Sequence, residues 1–396
     1  MMRHLLKLVW NRKGANALIT LEIFLSLLVV FALTAIVSTS WIKFRRPLGF
    51  KIDNLWNVKM RIDPEDLREP GLAGATAHRL LRESRTLDRV MDGTVSITTP
   101  YDGFWVGYGF SRGDTVFRVD MEYATPELRE VLGIELVAGR WFEPADAALP
   151  WIPLVINRRL ALELFGDEDP LGQILNENDS EKPWRVIGLV EDYRRHGELS
   201  APGNVAFEPL WLDEVMGLDQ LSLLLAVRPG TKPAFEEELV KHLERVAPTW
   251  SFTVKSLEEM RESYFESSLV PLLVVGIVAV FLMLMVALGL VGVLWQNVTQ
   301  RTREMGLRRA KGATAAAVRR QILIEVTLMT SFAVVLAAVI TAQLWLTGIL
   351  GAIDFGVYAL AFVLAAAVIY LLTLLCGLYP SWLATRIRPA EALHYE

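Results

Sequence analysis

The stretch 296–321, QNVTQRTREMGLRRAKGATAAAVRRQ, lies between two long apolar runs, and its reading organises the rest of the chain. It carries Arg301, Arg303, Arg308, Arg309, Lys311, Arg319 and Arg320 against the single acid Glu304. Cations clustered this close to two membrane-length segments put the loop in the cytoplasm. Its inner part, REMGLRRAKGA, predicts a short helix closed by Gly312, the residue type best able to take a left-handed C′ conformation. A second helix is predicted from an N-cap at Thr314 into the next apolar run. On charge alone such a loop reads as a topology determinant. The short helix also offers a soluble partner a place to push.

Working outward, four runs are apolar and long enough to cross a hydrocarbon core of ~30 Å: residues 17–42, 269–295, 322–350 and 357–378. Residues 1–16 alternate Leu, Val and Trp with Arg and Lys and contain no acid, which predicts an amphipathic helix at the cytoplasmic surface. No small-x-small cleavage site precedes the KFRR that follows the first run, so the run reads as an uncleaved span. The polar helical segment SLEEMRESYFESS, 256–268, passes without a Gly or Pro into the second run, so that span is expected to continue outward as a stalk, with Pro271 near the junction. Glu22 in the first span and Glu325 in the third read as interfacial pairing residues near the cytoplasmic side. Residues 379–396 form a cytoplasmic tail.

The segment 43–268 is acidic, with 27 Lys and Arg against 39 Asp and Glu. An acidic exterior and basic interior give one orientation, both termini cytoplasmic and the large domain outside, which is the periplasm for a protein of the bacterial inner membrane. The fold class read from this is an α-helical membrane domain of four transmembrane helices plus an α+β periplasmic domain of two lobes, inserted between helices 1 and 2. A split lobe, about 50–122 and 215–257, is predicted from two similar units. One is the strand 55–62, helix 72–88 and strand 94–101; the other is the strand 221–229, helix 235–246 and strand 251–257. An inserted lobe, about 123–214, opens on a predicted N-cap at Thr125, continues as strand then helix in IPLVINRRLALELFG, and ends in a buried strand, WRVIGLVEDYR.

The 396 residues are 53% hydrophobic and 21% charged, the balance of a membrane protein with a large soluble part. The single cysteine, Cys376, rules out an intrachain disulfide, and the five histidines are scattered rather than at ligand spacing. GxxxxGK[ST], GxSxG, HExxH and GxGxxG patterns are all absent from the sequence. No catalytic, metal or cofactor site is therefore expected on this chain.

Several segments together resemble the FtsX-like permease family of ABC transporters in its MacB-type form. They are REMGLRRAKGATAAAVRRQILIE at 303–325, YPSWLATRIRPAEALHYE at 379–396, and three further motifs: TPELREVLGIELVAGRWFEPAD at 125–146, PLVINRRLALELFGDEDPLG at 153–172 and WRVIGLVEDYR at 184–194. The resemblance covers essentially the whole chain. It implies a dimer of permeases, homodimeric or of two unlike chains, working with a separate ABC ATPase that holds ATP and Mg. It further implies outer domains driven through the stalks, with a periplasmic adaptor and an outer-membrane duct as possible further partners. Matched residue by residue, it assigns ATPase coupling to Arg303, Glu304, Gly306, Arg308, Arg309, Gly312 and Ala313, and tail contacts to Pro389, Glu391, Leu393 and Tyr395. The first span departs from the family in lacking its glycine-containing pattern and in carrying Glu22. The expected function is the permease subunit of an exporter acting on periplasmic substrates. A lipoprotein-releasing permease and a transmembrane regulator of a cell-wall hydrolase are the alternatives.

Overall fold

A computed structural model describes residues 13–69, 71–112, 115–175, 182–214, 218–300, 307, 314–348 and 354–386. The chain divides into two compact units, one of residues 43–268 and one of residues 1–42 with 269–396.

The first unit is built on a single eleven-stranded sheet. Its strands are β1 Leu55–Arg61, β2 Val90–Ser96, β3 Val106–Arg112, β4 Thr115–Ala124, β5 Leu136–Gly139, β6 Ile152–Asn157, β7 Ile174–Leu175, β8 Trp184–Val190, β9 Val205–Pro209, β10 Gln220–Val227 and β11 Ser251–Ser256. The order is β11-β1-β10-β2-β4-β9-β6-β8-β5, with β3 on β4 and β7 on β8. In the half β11-β1-β10-β2 all pairings are antiparallel; in the other, β4–β9 and β6–β8 are parallel. The halves join through the pair Ser96–Ala124 and the flanking bonds Ile97 N to Tyr123 O and Thr125 N to Val95 O.

The two halves thus share one sheet, and residues 106–124 belong to the inserted half instead of the split lobe predicted to reach 122. Packing decides this. Phe110, Val119 and Met121 point into a core with Leu154, Ile156, Leu160 and Val186, which β4 reaches only from that half. Thr125 is not an N-cap either. The helix there, α3 Leu128–Leu132, follows Glu127, and the Thr125 hydroxyl lies 2.9 Å from that of Thr94 at the seam of the two halves.

On one face of the first half lie α2 Leu72–Ser84 and α5 Phe235–Val246. Phe235, Leu239 and Leu243 recur every fourth residue, so they form one stripe, and their burial contributes roughly 1.5–3 kcal/mol each. Glu236, Glu237 and Glu238 complement the positive end of that helix. α2 stops at Ser84, short of the predicted Asp88, because the Ser84 hydroxyl bonds the Leu81 carbonyl and a turn of 3₁₀ type follows. β10 reads LSLLLAV because both its faces are covered: Leu221, Leu223 and Leu225 on the helix side, Leu224 on the other. α4 Arg158–Phe165 is capped by Asn157, whose Oδ1 accepts from Leu160 N.

Among the described residues, four helices are long and apolar enough to cross a membrane: α1 Lys13–Phe44, α6 Leu257–Gln300, α7 Ala315–Leu346 and α8 Phe355–Arg386. α7 and α8 approach through Ala333, Ala337, Ala361 and Ala365, all fully buried, as small residues permit between membrane helices. Hydroxyl pairs fasten the same seam: Thr330 with Thr373, Ser331 with Tyr370, and Thr341 with Tyr358. Thr34 of α1 donates to the Ala361 carbonyl of α8 at 2.9 Å. The predicted N-cap at Thr314 forms, its side chain accepting from Ala317 N.

Both intramembrane acids sit against protein. A Cβ added to Gly289 of α6 would lie 2.1 Å from Glu22 Oε1, so the glycine that α1 lacks is supplied by its neighbour. Glu325 accepts from Gln321 at 3.2 Å within α7.

Candidate functional site: a clasp at the foot of the sheet unit

β8 alternates wholly buried side chains, Trp184, Val186 and Val190, then runs into Asp192-Tyr193-Arg194-Arg195-His196-Gly197-Glu198. This loop returns under the sheet. Tyr193 is buried between Phe50 and Phe207, with ring centroids at 5.2 and 4.9 Å. Arg194 N donates to Leu48 O at 2.9 Å, and Gly49 takes a φ of +85° directly against the loop. A Cβ there would lie 1.9 Å from Asp192 O, so the close approach requires glycine.

Arg194 is buried, and both terminal nitrogens of its guanidinium donate to backbone carbonyls. Nη1 donates to Lys43 O at 2.7 Å and Arg46 O at 3.1 Å, and Nη2 to Ser200 O at 2.8 Å and to Glu198 O. Lys43 and Arg46 lie at and just beyond the end of α1, where the helix dipole favours a cation; Lys43 O also accepts from Arg46 N at 3.1 Å. Arg194 therefore caps the chain as it leaves the first span. Burial and the nearby Arg46 charge lower its pKa from the ordinary arginine value, a cost offset by these charge-assisted bonds.

Arg195 turns the other way. Its Nε lies 3.0 Å from Glu122 Oε1, both side chains almost completely buried, and Nη2 donates to Phe104 O at 2.8 Å. Glu122 Oε2 accepts from the Thr98 hydroxyl at 2.6 Å. Burial raises the Glu122 pKa, and the Arg195 charge and the Thr98 bond oppose it only in part.

Glu198 closes the third side. Its Oε1 accepts from Arg261 Nε at 2.5 Å, in the second turn of α6, and its Oε2 accepts from Tyr101 OH at 3.1 Å. Tyr101 holds a left-handed φ of 61°, uncommon for a large side chain, with its N–H bonded to Arg195 O. Gly197, at φ +85°, sits so close to the rings of Tyr101 and Tyr264 that a Cβ would be 2.7 and 2.8 Å from them. Phe44, at the end of α1, meets Phe265 of α6 at 6.1 Å.

Loop 192–200 thus grips both points at which the chain leaves this unit, residues 43–46 and 261–264. Its side chains bond backbone carbonyls, Glu122, Asp120, Tyr101 and Arg261, while Arg194 Nε and Arg195 Nη1 are buried without a partner among the described residues. The arrangement suits a joint.

The sequence signal for the clasp is two consecutive arginines after a strand of unbroken apolar alternation, followed by Gly197. The sequence carries the buried strand WRVIGLVEDYR on to Arg194, whereas β8 ends at Val190 and residues 191–194 already belong to the loop. Tyr101, Glu122, Glu198 and Arg261 gave no such signal, because their meeting depends on tertiary placement. The coupling residues Arg303, Glu304, Gly306, Arg308, Arg309, Gly312 and Ala313, and the tail residues Pro389, Glu391, Leu393 and Tyr395, lie outside the described residues. On either side of that loop, α6 ends at Gln300 and α7 begins after the Thr314 cap.

A sequence model of the MacB-like periplasmic core domain matches residues 17–242, and one of the FtsX-like permease C-terminal region matches 276–389. The chain is 27% identical over 281 residues to the macrolide export ATP-binding/permease protein MacB of Bordetella avium, covering 67% of this chain and 41% of that protein. It is 28% identical over 274 residues to the pyoverdine export ATP-binding/permease protein PvdT of Pseudomonas savastanoi, covering 66% and 40%. It therefore spans about two fifths of the length of these relatives. The crystal structure of the periplasmic region of MacB from Actinobacillus actinomycetemcomitans aligns with a TM-score of 0.39 at 17% identity, covering 56% of this chain and 97% of that one.

Proposed function

Because the chain belongs to the MacB-like periplasmic core domain family, we propose that it is the permease subunit of an ATP-driven exporter, transmitting force from an ABC ATPase to its periplasmic domain. ATP and Mg belong to the ATPase. The loop 301–313 faces the cytoplasm with both termini, and Arg303, Glu304, Gly306, Arg308, Arg309, Gly312 and Ala313 are its contact with that ATPase. Pro389, Glu391, Leu393 and Tyr395 pack near the same partner. Two permease chains work as a pair, with a periplasmic adaptor and an outer-membrane duct completing the route out of the cell.

The clasp is the observation that carries this reading. α6 has 44 residues, ~66 Å at ~1.5 Å per residue, more than twice a hydrocarbon core of ~30 Å. Its first turns belong to the sheet unit and are held there by Arg261 on Glu198. A displacement of α6 at its far end is delivered to loop 192–200, and through Arg194 to the end of α1. Hydrogen bonds to charged groups contribute ~1.5–3 kcal/mol each, so the joint moves as a unit under a load that would separate a neutral contact.

The test is Glu304→Arg in the assembled complex. We expect membrane insertion and folding to be unchanged and stimulation of the partner ATPase to be lost. Normal stimulated turnover in that variant would remove Glu304 from the coupling surface.

A further inference from the structure

On the face of the sheet turned away from α2 and α5, a row of polar side chains crosses four strands. Thr253, Lys59, Ser222 and Ser96 stand opposite one another on β11, β1, β10 and β2. Directly opposed residues of antiparallel strands share a face, with Cβ atoms ~5 Å apart. The residues between them, Val58, Leu223 and Val95, point into the apolar core, so the alternation is strict.

The inner end of this row is polar, buried and unpaired. Ser222 and Ser96 are 0% and 1% exposed, and neither hydroxyl has a hydrogen-bond partner among the described residues. Asn57 Oδ1 and Asp102 Oδ2 beside them are likewise unpartnered; the other Asp102 oxygen accepts from Lys59 at 3.0 Å. Buried groups of this kind are expensive unless something supplies their bonds. The outer end opens into a cleft of about 540 Å³ between the sheet face and the first turns of α6, within the range of small-ligand sites. Lys59 and Lys255 line it on one side, Tyr101, Tyr264 and Met260 on the other. Lys255 is exposed and makes no ion pair among the described residues.

The lining specifies a ligand. Two lysines ask for an anion. The free acceptors on Asn57 and Asp102 ask for donors, and beside those lysines an uncharged hydroxyl serves where an ammonium would be repelled. We propose that this cleft binds a phosphorylated polyol, its phosphate on Lys255 and Lys59 and its hydroxyls on Asn57 and Asp102, which line it. The aromatic and thioether wall accommodates either the carbon skeleton of a free compound or the glyceryl end of a lipid headgroup. The site stands independently of the exporter reading.

The full-length protein in a polyoxyethylene detergent is titrated calorimetrically with sn-glycerol 3-phosphate. In parallel, nanodiscs of equal phosphatidylglycerol and phosphatidylcholine are examined by native mass spectrometry for retained lipid. Lys255→Glu changes an exposed edge-strand residue and Lys59→Gln keeps a hydrogen-bond donor at a part-exposed position beside Asp102, so both variants fold. We expect one saturable site, weakened about tenfold by Lys255→Glu, the loss of roughly one charge-assisted bond, and measurably weakened by Lys59→Gln. Saturable binding of the soluble compound assigns the site to a free ligand. Selective retention of phosphatidylglycerol without it assigns the site to a lipid headgroup, and the same two variants abolish the selectivity. Absence of both, or binding unaltered by Lys255→Glu, overturns the proposal.

Discussion

Arg194 satisfies four carbonyls with one planar fork, two of them from the chain leaving α1 and two from its own loop. A lysine would bring a point charge with three donors and could not span them. Arg194→Met is expected to cost about 2–4 kcal/mol and to raise hydrogen exchange at residues 43–48 and 197–200 while leaving α5 protected. Unchanged protection at 43–48 would show that the cap carries no load. Glu122 gives a pH signature. Its folded pKa is raised by burial, so the folded state holds the proton more tightly than the unfolded chain. That contribution is fully present below the unfolded value and is lost as pH rises through the folded one. The stability of the wild type over Glu122→Gln, measured by denaturant unfolding, should therefore be larger at pH 5 than at pH 8. A difference that is flat or grows toward pH 8 would contradict the assignment. At this scale the sequence was least legible: nothing local to Glu122 or Tyr101 announces that they meet the residues after β8.

Helices were legible because their signals are local. α5 begins at Phe235, the first of its four-residue repeat with Leu239 and Leu243, and Thr314 caps α7 as its position before an apolar run implies. The partition of the sheet was not, since β4 could pair on either side and only the burial of Val119 and Met121 against β6 and α4 decides. Glu22 shows the same limit inside the membrane. Its depth in α1 could be counted, but not the glycine on α6 that makes room for it. Alanine at 289 requires only that the flexible Glu22 carboxyl shift; a larger side chain does not fit. Gly289→Leu should lower the yield of monodisperse protein in detergent by size-exclusion chromatography, and Glu22→Ala on the same chain should restore it. Failure of the second change to rescue the first would separate the two residues.

At the scale of the whole molecule, one sheet unit and four membrane-length helices are connected by the chain at residues 42–43 and 268–269. Within the sheet unit one loop holds residues 43–46 and 261–264, next to these connections, and the second connection is an unbroken helix through Pro271. Composition alone made this division legible, because apolar runs and an acidic segment separate cleanly along the sequence. The convergence of both exits on loop 192–200 was not legible, because residues 43, 194 and 261 are distant in sequence.

Force transmission through that loop is the central claim, and an intramolecular distance tests it most directly. Spin labels at Glu244→Cys on α5 and Asp354→Cys at the start of α8, with Cys376 replaced by alanine, report the separation of the two units in the complex with its ATPase. The distance distribution should shift between nucleotide-free and ATP-bound states, and the shift should collapse when Arg261→Ala and Glu198→Ala open the clasp. An ATP-dependent shift of the same size with the clasp open would contradict the account, as would no shift in an intact complex that hydrolyses ATP.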